Sequence, residues 1–236
     1  MTDAEFDYAP FEALTFDCYG TLIDWETGIL AGLRVSLAAH GLTPPDEEVL
    51  EAYARAEAAI EAGPYRRYRD VLAGCLGEVC RQYGFEPEPA AMAAFGGSVA
   101  DWPAFPDSAD SLARLASRFR LGVITNCDDD LFATSNRRLG VAFDWIVTAQ
   151  AVGSYKPDPR PFEAALAVIG LPPERILHVA QSLFHDHVPA RRLGLATVWI
   201  DRRQGRPGSG ATPPAAATPD AIFPDMASFT AAATAS

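Results

Sequence analysis

Five short apolar runs recur along the chain and alternate with stretches of helical periodicity. The runs are ALTFDCYG (13–20), RLGVITN (120–126), DWIVTA (144–149), RILHVAQS (175–182) and LATVWID (195–201), and the helical stretches are 107–119, 129–140, 159–170 and 185–194. Each run is apolar through its middle and ends in small or polar residues, which is typical of a strand buried on both faces. This alternation predicts an α/β fold with a doubly wound parallel sheet, whose polar strand ends gather at its carboxyl edge.

Residues from about 25 to 105 interrupt this alternation, because they show helical periodicity only. The helical segments are 28–41, 47–63, 65–84 and 89–102, and Gly and Pro turns separate them. A helical insertion directly after the first strand predicts a cap over the edge where a ligand binds, or else a bundle that only adds stability. The first interpretation gives a core of residues 1–24 and 106–236 and a helical cap of residues 25–105.

The segment 202–219, RRQGRPGSGATPPAAATP, is rich in Gly, Pro, Ala and Thr. This composition predicts a mobile surface loop. The run AIFPDMASF that follows it is expected to return as an edge strand or a final turn.

Composition excludes several classes of function. The chain has 236 residues and a net charge of −12, with no basic stripe of the kind that binds nucleic acid or an anionic membrane surface. No apolar run approaches the roughly 18 residues of a membrane span. The start MTDAEFDYAP lacks the basic and apolar regions of a signal peptide, so we expect a cytoplasmic protein whose four cysteines are free thiols.

The stretch LTFDCYGTLID (14–24) delivers one carboxylate, Asp17, from an apolar strand into a turn that contains Gly20 and Thr21. A carboxylate at the end of a buried strand is costly unless it is hydrogen-bonded or used, and glycine lets a backbone or ligand approach closely. Asp17 is therefore a candidate nucleophile. The alternative is an Asp that only caps the turn or the next helix.

Three further polar clusters follow predicted strands: Thr125 with Asn126, Lys156 in SYKPDPRPF, and Asp186 in AQSLFHDH. Parallel topology brings such loops into one crevice. There Lys156 would keep Asp17 ionised despite burial, as nucleophilic attack requires. Asp186 is a second acid, able to orient Lys156 or to activate water.

Four motifs of this chain resemble, in order and spacing, those of the haloacid dehalogenase superfamily. They are DxYGTL, TN after a strand, SYKPDPRPF, and an Asp in the loop after a final strand. The resemblance spans the whole predicted core, and the helical insertion is similar to the four-helix-bundle cap of that superfamily. It implies an α/β hydrolase with an aspartate nucleophile.

Two chemistries occur in that superfamily, and single residues separate them. Phosphatases typically carry an acid two residues after the nucleophile, where this chain has Tyr19. They also tend to carry GDxxxxD at the fourth motif, and with its last Asp aligned on Asp186 this chain has Ala180 and Gln181 in place of Gly and Asp. A halide leaving group needs neither a proton donor nor a metal. The resemblance therefore implies the 2-haloacid dehalogenase branch, with no metal or cofactor. The alternatives are a magnesium-dependent phosphatase acting on a small phosphate ester and a non-catalytic binding protein.

The resemblance also implies roles for individual residues. Asp17 would attack the halogen-bearing carbon of a short 2-haloalkanoic acid, and water aimed by Asp186 would hydrolyse the resulting ester to a 2-hydroxy acid. The other expected catalytic residues are Lys156, Thr21 and His185, and the expected substrate-binding residues are Tyr19, Arg55, Thr125, Asn126 and Ser182. A homodimer is expected as well.

Three of these expectations have alternatives. Arg55 is expected to help take up halide, or else to be a solvated helix residue beside Glu51 and Glu57. His185 would serve as base, bind the leaving halide or cap a helix, and a small pocket beside it would suit fluoroacetate. His178 lies inside a predicted strand and is expected to be a core residue. The three arginines of YRRYRD (65–70) would either attract an anionic substrate or pair with neighbouring acids.

Overall fold

The sheet contains the five predicted strands and, at its edge, a sixth in the run AIFPDMASF, where an edge strand was one of the two expectations. The structure is a computed structural model that describes residues 6–235, so residues 1–5 of the predicted core and residue 236 lie outside it. The strands are β1 (Ala13–Phe16), β2 (Arg120–Thr125), β3 (Trp145–Thr148), β4 (Ile176–Ala180), β5 (Ala196–Ile200) and β6 (Ala221–Phe223). They form one sheet of order β3-β2-β1-β4-β5-β6 in which every pairing is parallel.

The strand order reverses at β1, which pairs with β2 on one side and β4 on the other. Phe16 lies opposite Val123 of β2 and Val179 of β4, so the carboxyl ends of the three strands are level. In open α/β sheets, ligands bind in the crevice outside the strand ends at such a reversal point. The loops after β1, β2 and β4 are therefore placed to build a site.

Helices cover both faces of the sheet, as the predicted doubly wound fold requires. They are α5 (Ser108–Leu115), α6 (Asp129–Leu139), α7 (Ala149–Val152), α8 (Arg160–Ile169), α9 (Val188–Arg192) and α10 (Met226–Thr234). Phe162 of α8 and Ala190 of α9 pack on one face, together with Ile124 of β2. Phe132 of α6 and Phe229 of α10 belong to the larger apolar cluster, which also contains much of the helical insertion.

The insertion forms four α-helices and a short 3₁₀ turn at Ser98–Asp101. The helices are α1 (Trp25–Ala39), α2 (Asp46–Glu61), α3 (Tyr68–Gln82) and α4 (Pro89–Gly97). The two connections to the sheet run side by side, since Asp24 N–H donates to Pro103 O (2.8 Å) and Phe105 N–H donates to Leu22 O (3.0 Å). We propose that the cap comprises residues 25–105, as the sequence predicts.

The N-terminus of α3 is fastened to the core by Asp128, which precedes α6. The buried Asp128 carboxylate accepts hydrogen bonds from the backbone N–H groups of Tyr68 (3.0 Å) and Arg69 (3.3 Å) and from Arg69 Nε (3.2 Å). Arg69 and Arg67 also form ion pairs with Asp130. Of the two roles expected for this arginine cluster, pairing with neighbouring acids is the one that these two arginines have.

The segment 202–219 contains no helix or strand, as predicted, yet Arg203, Ala211 and Thr212 within it are buried. Arg203 is 8% exposed and donates to both carboxylate oxygens of Glu26 on α1 and of Glu47 on α2, at 2.6–2.9 Å. The loop is thus tied to two cap helices. None of the helices formed by residues 6–235 is long and apolar enough to cross a membrane.

Candidate active site

Asp17 stands directly after β1, at the start of a tight turn. Leu22 N–H donates to Cys18 O (2.8 Å), and Gly20 N–H donates to Ile23 O (2.8 Å). Gly20 has φ +95°, a left-handed conformation that favours glycine, and a Cβ there would come within 2.9 Å of Trp25 Nε1. The turn therefore holds the chain tightly against the first cap helix.

Both carboxylate oxygens of Asp17 accept a hydrogen bond. Lys156 Nζ lies 2.8 Å from Oδ1, and the hydroxyl of Thr21 donates to Oδ2 at 2.7 Å. Thr21 in turn accepts from Gln181 N–H at 2.9 Å, which links the loop after β1 to the loop after β4. Asp17 is 6% exposed, so this pairing offsets part of the cost of burying its charge.

Lys156 joins the two carboxylates of the site. Its Nζ donates to Asp17 Oδ1 (2.8 Å), to Asp186 Oδ1 (2.6 Å) and to Ile124 O (2.8 Å), so all three ammonium protons have acceptors. Asn126 fixes the backbone that carries Lys156. Its Oδ1 accepts from Lys156 N–H at 2.7 Å, and its Nδ2 donates to Lys156 O at 2.9 Å.

Asp186 lies in a single π-helical turn, Leu183–His187, that follows β4. Its Oδ1 accepts from Lys156 and lies 3.1 Å from His178 Nε2, while the buried Oδ2 has no hydrogen-bond partner among residues 6–235. A neutral His178 that donates from Nε2 accepts at Nδ1 from the hydroxyl of Thr15, which is 2.9 Å away. His178 is thus a positioning partner of Asp186 as well as the core residue that the sequence predicts.

Burial and charge act in opposite directions on this cluster. Burial raises the pKa values of Asp17 and Asp186, and the Lys156 ammonium opposes the rise in both. The two carboxylates raise the pKa of Lys156 although its burial acts to lower it, so this residue stays a cation. Within residues 6–235, no group of three or more His, Cys, Asp or Glu side chains is arranged to hold a metal ion.

His185 and Ser182 sit beside the acids. Ser182 Oγ accepts from His185 N–H (2.9 Å) and lies 3.1 Å from His185 Nδ1. Burial lowers the pKa of His185 to about 3, so the imidazole is neutral at physiological pH. When its Nδ1 accepts from Ser182, the N–H of His185 is at Nε2.

A small cavity of about 20 Å³ adjoins these groups, and an outer cleft of about 600 Å³ shares Lys156 and His185 with it. The core contributes seven residues to the inner cavity: Asp17, Tyr19, Asn126, Lys156, Ser182, His185 and Asp186. The cap contributes three, Trp25, Glu57 and Tyr68, which we call the cap wall. The inner cavity is large enough for about one water molecule or a group of similar size.

Glu57 is a site residue that the sequence reasoning missed. Its carboxyl is buried, and its Oε1 accepts from the hydroxyls of Tyr53 (2.6 Å) and Tyr68 (3.0 Å). Burial raises the pKa of Glu57 to about 7. The available signal was spacing, because Tyr53, Glu57 and Glu61 recur every four residues and therefore share one face of α2.

Arg55 does not reach the site, contrary to the expected halide-binding role. Arg55 is exposed on α2, two residues before Glu57. Side chains two residues apart on a helix point to nearly opposite sides. The alternative interpretation, a solvated helix arginine, is the one that fits.

Of three other predicted substrate-binding residues, Tyr19 and Asn126 line the cavity and Thr125 does not. The ring of Tyr19 lines the cavity, while its hydroxyl bonds Ser135 Oγ (3.0 Å) and accepts from Cys127 Sγ (3.3 Å). The amide of Asn126 is occupied by the backbone of Lys156. Thr125 is buried outside the cavity lining, and its hydroxyl has no hydrogen-bond partner in the described part of the chain.

The chain is similar in sequence and in fold to several known hydrolases. An (S)-2-haloacid dehalogenase of Pseudomonas putida is 26% identical over 204 residues, covering 82% of this chain and 87% of that protein. A phosphoserine phosphatase of Thermus thermophilus is 32% identical over 148 residues, covering 60% of this chain and 56% of that protein. The solved structure of an L-2-haloacid dehalogenase from Xanthobacter autotrophicus superposes with a TM-score of 0.77 at 20% identity, covering 93% and 97% of the two chains.

A family model matches the chain as well, and it agrees with the fold and with the order of the site residues. The family model for haloacid dehalogenase-like hydrolases matches residues 11–183, which is most of the chain. The chain belongs to the haloacid dehalogenase-like hydrolases.

Proposed function

We propose that the protein removes halogen hydrolytically from a short 2-haloalkanoic acid, fluoroacetate included, and forms a 2-hydroxy acid and halide. The observation that carries this proposal is the Asp17–Lys156–Asp186 cluster in a site where no acid stands at position 19 or 181. The named dehalogenase relative supports the same class of reaction.

In the first step, Asp17 attacks the carbon that bears the halogen. A new C–O bond forms, the carbon–halogen bond breaks, and its electron pair leaves with the halide. Lys156 and Thr21 hold the carboxylate so that an oxygen faces the cavity without rotational freedom. The product of this step is an ester on the Asp17 side chain.

In the second step, water attacks the carbonyl carbon of the Asp17 ester. Asp186 Oδ2 is the acceptor for the proton of that water, because it is the carboxylate oxygen without a partner beside the cavity. Lys156 and His178 hold the other oxygen and so fix the orientation of the base. The hydroxy acid then leaves with the oxygen that Asp17 contributed.

The size of the site supports a short substrate. The inner cavity beside Asp17 accepts a group about the size of one water molecule, and the cleft outside it leaves room for a carboxylate. A neutral His185 N–H at the edge of both spaces is able to donate a hydrogen bond to either group. Fluorine is the halogen that fits the smallest space.

The second candidate is a magnesium-dependent phosphatase acting on a small phosphate ester, which the phosphoserine phosphatase relative favours. Two features weigh against it. Tyr19 stands where the superfamily pattern has the acid that protonates a phosphatase leaving group, and its hydroxyl is turned to Ser135 and Cys127. Gln181 offers an amide where the pattern has a carboxylate ligand for magnesium.

A halide-release assay separates the two. We expect the purified protein to release halide from chloro-, bromo- and fluoroacetate and from one enantiomer of 2-chloropropionate, equally with added magnesium or with EDTA. Asp17→Asn should lower this activity by at least about 10³-fold, and the exposed Asp110→Asn should leave it unchanged. Magnesium-dependent hydrolysis of p-nitrophenyl phosphate without halide release would contradict the proposal and favour the phosphatase.

A further inference from the structure

The cap wall places a carboxylic acid in the cavity that contains the nucleophile. Glu57 is 3% exposed, and both tyrosine hydroxyls beside it, from Tyr53 and Tyr68, donate to the same oxygen, Oε1. No residue of the described chain donates to Oε2 of Glu57. Oε2 is therefore the oxygen that Glu57 has available for a ligand.

The cavity offers an anion no free cation among the residues that the structure describes there. Lys156 is the only Lys or Arg in its lining, and its three protons already serve Asp17, Asp186 and Ile124 O. Arg160 at the outer cleft is paired with Asp158 at 2.9 Å. A departing halide must therefore be met by neutral hydrogen-bond donors.

Displacement by Asp17 directs the halide toward the cap wall. A nucleophile that attacks carbon from the rear leaves the departing group on the opposite side. Asp17 belongs to the core side of the cavity, and Trp25, Glu57 and Tyr68 belong to the cap side. The halide thus leaves in the direction of the Glu57 carboxyl.

The two tyrosines also decide where Glu57 carries its proton. They occupy the two lone pairs of Oε1, so a neutral Glu57 has its proton on Oε2 and donates from that atom. Burial raises the pKa of Glu57 to about 7, and the hydrogen bonds from the tyrosines limit the rise. The titratable groups that face it are Tyr53 and Glu61 of α2, Tyr68 and Cys75 of α3, and Asp17, Lys156, His185 and Asp186 of the core.

We infer that Glu57 is a further catalytic residue, which in its neutral form donates a hydrogen bond from Oε2 to the departing halide and thereby favours fluoride as a leaving group. This inference rests on the proposed dehalogenation. Fluoride is the strongest hydrogen-bond acceptor among the halides, so it gains most from such a donor. An ionised Glu57 repels the departing anion instead, so fluoride release falls as the pH rises through the pKa of Glu57.

Glutamine is the matched substitution at this position. In Glu57→Gln, the tyrosine hydroxyls select the amide carbonyl, which leaves the NH₂ group in the place of Oε2–H. The variant should keep a donor toward the halide at every pH. Glu51→Gln, on the same helix but outside the cavity lining, controls for the loss of a carboxylate on α2.

The experiment measures kcat/KM for fluoride release from fluoroacetate and for bromide release from bromoacetate, from about pH 6 to about pH 9. In the wild type and in Glu51→Gln, fluoride release should fall about tenfold per pH unit above about pH 7, and bromide release should fall less. In Glu57→Gln this decline should be absent. In Glu57→Ala, fluoride release should be lower by about 10²-fold and bromide release by less than about fivefold.

Each other outcome has a definite meaning. The same alkaline decline in Glu57→Gln as in the wild type would overturn the inference, and so would equal losses of fluoride and bromide release in Glu57→Ala. If Glu57→Ala does not fold, the comparison of the wild type with Glu57→Gln still decides. Asp17-dependent bromide release without fluoride release would overturn the inference alone, whereas release of neither halide would overturn the proposed function itself.

Discussion

At the scale of residues, the site is a chain of hydrogen bonds that joins the nucleophile to the second acid. Lys156 connects Asp17 to Asp186, and His178 holds the Asp186 oxygen that Lys156 shares. The other oxygen of this acid, Asp186 Oδ2, is buried without a hydrogen-bond partner in the described chain. A buried carboxylate oxygen without a hydrogen bond lowers the stability of the fold. We attribute its presence here to its proposed role, which is to accept the proton of the attacking water.

Asp186→Asn should separate the two chemical steps. Asparagine keeps an oxygen for Lys156 but removes the base, so Asp17 should still be alkylated while ester hydrolysis slows by about 10²-fold or more. Rapid-quench mass spectrometry with bromoacetate should show one equivalent of bromide released in a burst and a protein whose mass is raised by the ester. Loss of the burst together with turnover would show that Asp186 is needed for the first step and would contradict this division of roles.

At the scale of elements, strand ends and helix faces differ in how well the sequence predicts them. Asp17, Lys156 and Asp186 were placed together in advance because parallel strands bring their carboxyl-terminal loops to one edge whatever the details of packing. The rotation of α2 about its axis depends on packing against α1 and α3. For that reason the sequence reasoning placed Arg55 at the site and missed Glu57, whereas the structure exposes Arg55 and buries Glu57.

The contact of α3 with the core rests on Asp128 more than on Asp130, although both acids bind Arg69. Asp128 is buried and also accepts from two backbone N–H groups, whereas the Asp130 side chain is 63% exposed. Asp128→Ala should therefore lower the free energy of unfolding by about 1–3 kcal/mol, because it leaves backbone donors unpaired. Asp130→Ala should cost less than about 1 kcal/mol, since water and salt screen an exposed pair.

Urea unfolding followed by circular dichroism measures both variants under the same conditions. Equal losses of stability in the two would show that the ion pair with Arg69, and not the backbone hydrogen bonds, carries the contact between α3 and the core.

At the scale of the whole molecule, one cavity is built from both parts of the chain. The loop after β1 supplies the nucleophile, the segment between α7 and α8 supplies the ammonium, and the turn after β4 supplies the second acid, while α1, α2 and α3 supply the opposite wall. The core fold and its site followed from the periodicity and motifs of the sequence. The pairing of Arg203 with Glu26 and Glu47 could not be predicted in this way. Arg203 lies in a segment without periodicity, and its two partners are more than 150 residues away along the chain. The cytoplasmic location and the homodimer stay predictions.

The central claim is that Asp17 forms a covalent ester with carbon, and a single turnover in heavy-oxygen water tests it most directly. With protein in excess over bromoacetate, the first turnover should place the heavy oxygen in the side chain of Asp17, found by mass spectrometry of its peptide. The glycolate should carry ordinary oxygen, because its hydroxyl comes from Asp17. Heavy oxygen in the glycolate and none in Asp17 would mean that water attacks the substrate directly, and the account would be wrong.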